Sequence, residues 1–236
     1  IGDSKVIAIM CTHTHRDHSP AAKPLAERTG APIVGCAPLE LDVEGGPRSD
    51  EAFDDTYEPD RVLEDGEQMT GPGWTLTAVH TPGHTPGHVV FFHGPSKFAI
   101  VGDVLFQGSI GRTDFPCSCI ESMYKSLQRL PVLLGKKTIL CPTHDYNNDF
   151  ATTLPAECNE NEFLKSIVDS NAPMTLEAFI AEKPEIDAGI TDATNSELVC
   201  GLIRSVSTGC ELAIELTKDQ LKTFFQEHKV DHWNML

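Results

Sequence analysis

The sequence predicts an α/β fold with a helical extension, and three observations support this prediction. Apolar segments of strand length alternate with segments of helical periodicity from the first residues to about residue 150. Beyond about residue 152, helical patterns dominate. Polar residues come directly after several predicted strands, where α/β folds commonly place their sites. We therefore expect an α/β domain over residues 1–157 and a mostly helical C-terminal extension over residues 158–236.

The first predicted elements are a buried strand, a helix and a second strand. KVIAIMC at residues 5–11 is apolar and β-branched enough for a strand that is buried on both faces. Ser19 and Pro20 are typical of a helix start, as the N-cap and the first helical residue, and Gly30 is typical of a helix end. APIVGC at residues 31–36 then predicts a short strand.

An acidic loop precedes the remaining elements. Residues 40–60 are rich in Gly, Pro and Asp and lack periodicity, which predicts a long surface loop. The helical spacing of residues 120–130 predicts a helix. Further strands are predicted at residues 74–80, 88–92, 97–103 and 136–142. Helical patterns in the extension lie at residues 162–168, 175–181 and 218–228.

Composition narrows the class of protein. The 18 Lys and Arg residues against 35 Asp and Glu residues give a formal net charge of −17, which repels phosphate backbones and acidic lipid headgroups. No apolar stretch approaches the roughly 20 residues that cross a bilayer. We therefore expect neither a nucleic-acid-binding protein nor a membrane protein. None of the eight cysteines forms a C-x-x-C pair, which favours reduced thiols and a cytoplasmic location.

The segment CTHTHRDHSP at residues 11–20 places four potential metal ligands directly after the first strand. These are His13, His15, Asp17 and His18. Imidazoles and a carboxylate this close together contribute nothing to an apolar core, and the imidazoles repel one another when they are protonated. Their spacing therefore indicates a site that holds a cation between them.

Three isolated residues occupy matching positions after later strands. His84 follows the strand that ends at His80, Asp103 closes the strand at 97–103, and His144 follows the strand at 136–142. The seven donors include no thiolate, a set that suits zinc, iron or manganese. If one carboxylate bridges, seven side chains give two ions four protein contacts each and leave room for a shared water. We interpret the remaining nearby histidines, His80, His88 and His93, as structural or as supports of the ligands.

The motif THTHRDH resembles the H-x-H-x-D-H signature of the metallo-β-lactamase superfamily. This resemblance covers about residues 5–150 and implies a metallo-β-lactamase-like four-layer αβ/βα sandwich. It implies a first metal held by His13, His15, His84 and Asp103, and a second held by Asp17, His18, Asp103 and His144. Asp17 and Asp103 would then be catalytic as well as ligating. The family places strands and a helix before the H-x-H motif, so we expect these N-terminal strands to be missing and the sequence to be a fragment.

Within the superfamily, HTPGHTPGHVVFF and FAIVGDVLFQGSIGRTDFP are very similar to the hydroxyacylglutathione hydrolase (glyoxalase II) branch. That resemblance implies hydrolysis of glutathione thioesters by a hydroxide that bridges two divalent metal ions, with zinc favoured over iron or manganese. By position, Arg112 and Tyr146 match the glutathione-contacting residues of that branch. The segment CSCIES after GRTDFP departs from the pattern.

A second branch remains open as an alternative. GRTDF, HDY and LEAFIAEKPEID resemble the persulfide dioxygenases, which oxidise glutathione persulfide with a single Fe(II). That iron would be held by His15, His84 and Asp103, a two-histidine, one-carboxylate set suited to oxygen chemistry. Either branch predicts a small-molecule glutathione conjugate as the substrate. Because both branches can retain all seven residues, the ligand list does not discriminate between them.

Overall fold

The computed structural model of the protein describes residues 5–39, 53–135, 137–145 and 150–192, and three short strands between residues 196 and 213. The helices in these ranges are α1 (Ala22–Thr29), α2 (Ile120–Leu134), α3 (Leu154–Glu160), α4 (Glu162–Val168) and α5 (Leu176–Asp192). The strands are β1 (Ile9–Cys11), β2 (Ile33–Gly35), β3 (Arg61–Val62), β4 (Gln68–Gly71), β5 (Trp74–His80), β6 (Val89–His93), β7 (Phe98–Gly102), β8 (Leu105–Phe106), β9 (Ser109–Ile110), β10 (Ile139–Pro142), β11 (Thr152–Thr153), β12 (Ser196–Val199), β13 (Leu202–Ser205) and β14 (Glu211–Ala213).

Two sheets form the body of the fold. The smaller sheet is parallel and has the order β1-β2-β3. The larger sheet has the order β11-β10-β7-β6-β5-β4, in which β7 and β10 are parallel and the other neighbours are antiparallel. As a result β5, β7 and β10 run in the same direction, and their carboxyl ends lie along one edge of the sheet.

Strand β6 shows how the larger sheet divides the core. Val89 and Phe91 are buried in a cluster with Ile9 and Ile33 of the smaller sheet. Val90, which lies between them, is buried on the opposite face in a cluster with residues of α2, α4 and α5. On the smaller sheet, α1 packs against β1 and β2. The layers therefore run helix, sheet, sheet and helices, which is the expected four-layer αβ/βα sandwich.

The predicted elements are reproduced with shifted ends. The strand predicted at residues 74–80 matches β5, whereas only the last three residues of the strand predicted at 5–11 form β1. The short strands β3 and β4 are not predicted by the sequence. Both are partly or fully exposed, so they lack the apolar pattern that marks a strand. Within the predicted 40–60 loop, residues 40–52 lie outside the described part of the chain.

Helix α1 begins two residues later than the sequence predicts. Ser19 does not cap the helix, because its hydroxyl donates to a carboxylate oxygen of Asp54 at 2.7 Å. Since the helix starts at Ala22, Pro24 lies in the first turn, where a missing N–H leaves no hydrogen bond unmade. Gly30 ends the helix in the left-handed conformation, as predicted, with φ at 70°.

The C-terminal extension is not helical throughout. Helices α3 to α5 share the core of the sandwich, since Leu154, Leu164 and Phe179 belong to the same buried cluster as Val90 and Leu127. The division expected after residue 157 thus falls within α3. Beyond α5, strands β12, β13 and β14 pair antiparallel in that order, where the sequence analysis expects mostly helix. The helical pattern at 218–228 lies outside the described residues.

None of the described helices combines the length and the apolar character that a passage through a membrane requires.

Candidate metal centre

The seven predicted ligands lie on four loops that follow strand ends. The first loop leaves β1 and turns at once, because the N–H groups of His18 and Ser19 both donate to the carbonyl of His15, at 2.9 and 3.2 Å. This turn brings the side chains of one short segment to a common point. The other three loops follow β5, β7 and β10, whose carboxyl ends share one edge of the larger sheet.

Asp103 lies at the centre of the cluster. Its Oδ2 atom is close to the Nε2 atoms of four imidazoles: 3.9 Å from His13, 3.6 Å from His18, 3.4 Å from His84 and 3.4 Å from His144. The Asp103 side chain is 8% exposed. One carboxylate oxygen therefore faces imidazoles from three other loops of the site.

The ligand atoms fall into three overlapping groups that could each hold a metal ion. These groups are His13, His15 and His84; His13, His18 and Asp103; and Asp17, His18 and His144. In the third group, Oδ2 of Asp17 lies 3.3 Å from Nε2 of His18 and 3.2 Å from Nε2 of His144. The structure thus brings all seven predicted residues together, with one group on either side of Asp103.

Unpartnered nitrogen atoms indicate what this cluster is built to hold. The Nε2 atoms of His13, His15 and His18 are buried and have no hydrogen-bond partner. Nδ1 of His15 and Nε2 of His84 face each other at 2.9 Å. Buried polar atoms are normally hydrogen-bonded, and a cation that accepts their lone pairs would satisfy these nitrogens. The donor set therefore fits metal ions.

The protonation states of His13, His15 and Asp103 agree with this interpretation. Burial lowers the pKa of His13 well below its ordinary value and that of His15 to about 3, so both rings are neutral, as metal ligands must be. Burial alone would raise the pKa of Asp103, but the surrounding imidazoles outweigh it and hold that pKa well below the usual range. The carboxylate is therefore ionised. Against the lowering effect of burial, the carboxylates of Asp103 and Asp17 raise the pKa of His18 to about 9 and that of His144 to about 10.

Two of the candidate ligands are oriented by neighbours outside the set of seven. Nδ1–H of His84 donates to the carbonyl of Arg112 at 2.8 Å, which leaves Nε2 facing Asp103. Nε2 of His88 accepts the backbone N–H of Asp103 at 3.0 Å, and the hydroxyl of Thr143 donates to Oδ1 of Asp103. His88 thus holds the backbone of a candidate ligand. The role of Thr143 carries no sequence signal beyond its position next to His144.

Aromatic rings line part of the site. The ring of His15 packs against those of Phe53 and Phe115, with centroids 4.8 and 4.7 Å apart, and the ring of Phe106 lies 5.8 Å from that of His144. The sequence alone does not mark these residues, because an isolated Phe is usually a core residue. These contacts give the imidazoles an apolar surround on one side.

The structure describes one of the two predicted glutathione contacts. The guanidinium of Arg112 is bound by Asp114 of the same loop, through Nε to Oδ1 at 2.8 Å and through Nη2 to Oδ2, and it lies 5.7 Å from the centroid of the Phe115 ring. Its side chain is 13% exposed. Arg112 is therefore an already paired cation near the site. Tyr146 lies outside the described residues.

The fold and the convergent histidine–aspartate cluster define a metal-binding α/β enzyme, and comparison with known proteins agrees. The family model of the metallo-beta-lactamase superfamily matches residues 1–150, and the chain belongs to this superfamily of metal-dependent enzymes.

Among individual proteins, the chain is similar to hydroxyacylglutathione hydrolase GloC of Haemophilus influenzae. The two are 35% identical over 170 residues, which cover 70% of this chain and 78% of that protein. Among solved structures, ETHE1 from Myxococcus xanthus is similar with a TM-score of 0.58 and 26% identity, covering 80% of this chain and 76% of that one. TTHA1623 in a di-iron-bound form is similar with a TM-score of 0.54 and 33% identity, covering 66% of this chain and 77% of that one.

Proposed function

We propose that the protein hydrolyses glutathione thioesters at a centre that holds two divalent metal ions. Similarity to a hydroxyacylglutathione hydrolase over more than two thirds of the chain supports the substrate class. Imidazole and carboxylate donors suit zinc, iron and manganese. Of these three metals, zinc is the one that we favour. A cytoplasmic location is part of the proposal and is supported by the free thiols of the cysteines with described side chains.

The position of Asp103 is the observation that carries the proposal. Its Oδ2 atom lies within 3.4 Å of His84, on the side of the first group, and of His144, on the side of the third. A carboxylate oxygen placed between two sets of imidazoles can serve two cations at once. A single structural cation would instead need only four ligands that close around it.

The seven residues divide between the two metal ions with Asp103 in common. His13, His15, His84 and Asp103 would hold the first, and Asp17, His18, Asp103 and His144 would hold the second. When bound, such ions supply a Lewis acid for the thioester carbonyl and hydroxide as the nucleophile near neutral pH.

The protein's own groups would act on the water and on the substrate. Asp17 lies at the mouth of the site, with 55% of its side chain exposed, and the imidazoles of His144 and His18 hold its pKa below the ordinary value against the effect of burial. Its carboxylate is therefore ionised and able to accept a hydrogen bond from the attacking water. In the reaction the acyl–sulfur bond breaks, the oxygen of water joins the acyl carbon, and glutathione leaves as the thiol.

Arg112 and Tyr146 are proposed to contact the glutathione moiety. A fixed cation suits a substrate carboxylate in a chain of net charge −17. Because Asp114 binds Arg112 in the structure, a substrate carboxylate would compete with Asp114 for the guanidinium. The apolar wall of Phe53 and Phe115 beside His15 would keep water other than the reacting molecule away from that part of the site.

A second function, oxidation of glutathione persulfide with a single Fe(II), is favoured by one observation. The structure is similar over 80% of this chain to that of ETHE1, a persulfide dioxygenase. In this alternative, His15, His84 and Asp103 would hold the iron. Nε2 of His84 lies 2.9 Å from Nδ1 of His15 and 3.4 Å from Oδ2 of Asp103, so these three donors are close enough to share one ion.

The deciding experiment combines metal content with two assays. The protein is purified without added metal and analysed by plasma mass spectrometry. It is then assayed for thiol release from a hydroxyacyl-glutathione thioester and for oxygen uptake with glutathione persulfide. About two equivalents of metal with thiol release support the hydrolase. One equivalent of iron with oxygen uptake and no thiol release would replace the first proposal by the second.

A further inference from the structure

Helix α5 carries two buried charges that belong to no part of the candidate metal centre. Lys183 is fully buried and Asp187 is 3% exposed. Nζ of Lys183 donates to Oδ1 of Asp187, one helical turn further along. Ionised groups at this depth lose their hydration, and they persist where each is paired and its remaining bonding capacity is used. The second oxygen of Asp187 therefore identifies what this pair binds.

That oxygen holds the loop that follows β9. Oδ2 of Asp187 accepts the backbone N–H of Thr113 at 3.1 Å and the hydroxyl of Thr113 at 2.9 Å. Thr113 is thus fixed through both its backbone and its side chain by a residue 74 positions away in the sequence. On either side of Thr113, Arg112 and Asp114 form the ion pair near the site.

The same loop orients a candidate metal ligand. The carbonyl of Arg112, one residue before Thr113, accepts the Nδ1–H of His84 at 2.8 Å. This hydrogen bond fixes the ring and the tautomer of His84, so that Nε2 faces Asp103. Removing such an outer partner of a metal-binding histidine typically lowers metal affinity by about 10–100-fold. A continuous chain of contacts therefore runs from α5 to the candidate centre.

We propose that Lys183 and Asp187 are positioning residues for the metal centre, which act through Thr113 and the Arg112 carbonyl on His84. Helix α5 would then be required for metal binding as well as for packing of the core. This positioning role rests on the proposed function in one respect, which is that His84 must bind a metal ion. It holds for thioester hydrolysis and for persulfide oxidation alike.

The test measures zinc binding by the metal-free full chain in competition with a fluorescent chelator, with thermal unfolding of the same metal-free protein as a second readout. The variants are Thr113→Val and the double variant Lys183→Met/Asp187→Leu. The double variant replaces both charges together, so that neither is left buried without its partner. We expect zinc affinity to fall by about 10–100-fold in the double variant and by about tenfold in Thr113→Val.

Tyr124→Phe is the matched control. The Tyr124 hydroxyl donates to the carbonyl of Met174 at 2.6 Å and so ties α2 to the segment before α5, and this hydrogen bond does not involve residues 111–115. This variant should bind zinc within twofold of the wild type. Weaker zinc binding at an unfolding temperature no lower than that of Tyr124→Phe supports positioning.

Unchanged zinc affinity in Thr113→Val and the double variant overturns the positioning proposal, whatever their activity. Weaker binding that Tyr124→Phe shares to the same extent also overturns it, because general loosening would then explain the effect. If the double variant does not fold, the zinc affinity of Thr113→Val alone tests the positioning proposal. A wild type that binds zinc but releases no thiol from thioesters contradicts only the proposed function, whereas a wild type that binds neither zinc nor Fe(II) contradicts both.

Discussion

Nε2 of His88 accepts the backbone N–H of Asp103 at 3.0 Å, so a histidine outside the ligand set holds the residue at the centre of the site. Because this nitrogen is an acceptor, Nδ1 carries the proton and donates to the hydroxyl of Thr81 at 2.7 Å. Burial lowers the pKa of His88 to about 3, so the ring remains neutral and able to accept. The backbone at the end of β7 is therefore fixed by a buried, fully bonded imidazole.

We predict that His88→Ala weakens metal binding by roughly 10–100-fold, because Asp103 loses the group that holds its backbone. The free energy of unfolding should fall by about 1–3 kcal/mol or more, since the N–H of Asp103 is left buried without an acceptor. Chelator competition and chemical denaturation measure the two effects. His93→Ala is the control, because His93 is equally buried at the other end of β6 and does not contact the centre. An equal loss of metal affinity in both variants would contradict the prediction.

A second prediction concerns Gly111. A Cβ atom at Gly111 would lie 1.8 Å from the carbonyl oxygen of Asp103, so the backbone beside the central ligand must move. We expect Gly111→Ala to lower the free energy of unfolding by about 3 kcal/mol or more and to reduce metal content. At Gly108, φ is 70° but a Cβ meets nothing within 4 Å, so Gly108→Ala should cost only about 1–2 kcal/mol and leave metal content unchanged. Equal effects of the two substitutions would show that the space beside Asp103 is not limiting.

The proposed bridging role of Asp103 predicts the outcome of removing its charge. Asp103→Asn keeps the shape of the side chain but replaces the carboxylate by a neutral amide. If Asp103 bridges two metal ions as proposed, the metal content of the purified protein should fall from about two equivalents to below one, and hydrolysis should be abolished. Asp65→Asn is the control, since Asp65 pairs with Arg129 away from the centre and should retain metal and activity. Retention of one full equivalent of metal by Asp103→Asn would argue against a bridging carboxylate.

The pairing of Arg112 with Asp114 gives two variants with opposite expected effects. If Arg112 binds a substrate carboxylate, Arg112→Ala should raise KM for a glutathione thioester by roughly tenfold or more. Asp114→Asn weakens the competing ion pair and should lower KM. Steady-state kinetics on both variants, with kcat as the internal reference, separate binding from catalysis. An unchanged KM in both would remove Arg112 from the substrate site.

The buried thiol of Cys36 predicts a dependence of stability on pH. Burial raises the pKa of Cys36 from 9.0 to about 12, and the side chain is 1% exposed. A folded-state pKa above the unfolded value means that this contribution to stability is fully present below pH 9 and is lost as the pH rises toward 12. The loss approaches about 1.4 kcal/mol per pH unit within that window.

The measurement for Cys36 compares urea denaturation of the wild type and of Cys36→Ala at pH 8, 9, 10 and 11. The stability difference between the two proteins should be constant from pH 8 to 9 and should change in favour of the variant above pH 9. A difference that stays constant up to pH 11 would mean that the Cys36 thiol ionises equally in the folded and unfolded states.

The order of the main strands and the types of the ligands could be predicted from local sequence. The strand at 74–80 alternates apolar and polar residues, and the segment 13–18 concentrates three imidazoles and a carboxylate in six positions. The start of α1 could not be predicted, because the Ser19 hydroxyl donates a hydrogen bond to Asp54, which lies 35 residues further along the chain. Strands β3 and β4 were not predicted either, because short exposed strands form only where a neighbouring strand of the sheet pairs with them.

The donor types and their places after strand ends could be predicted from the chain alone, because motif spacing and strand periodicity are local properties. Which donor atoms meet depends on the tertiary fold. His15 and His84 are 69 residues apart in sequence yet have ring nitrogens 2.9 Å apart, and Asp187 reaches Thr113 across 74 residues. Arg112 could be expected as a free cation until the fold of its loop paired it with Asp114. Such contacts depend on the path of the backbone between the partners, and local motifs and periodicity do not reveal that path.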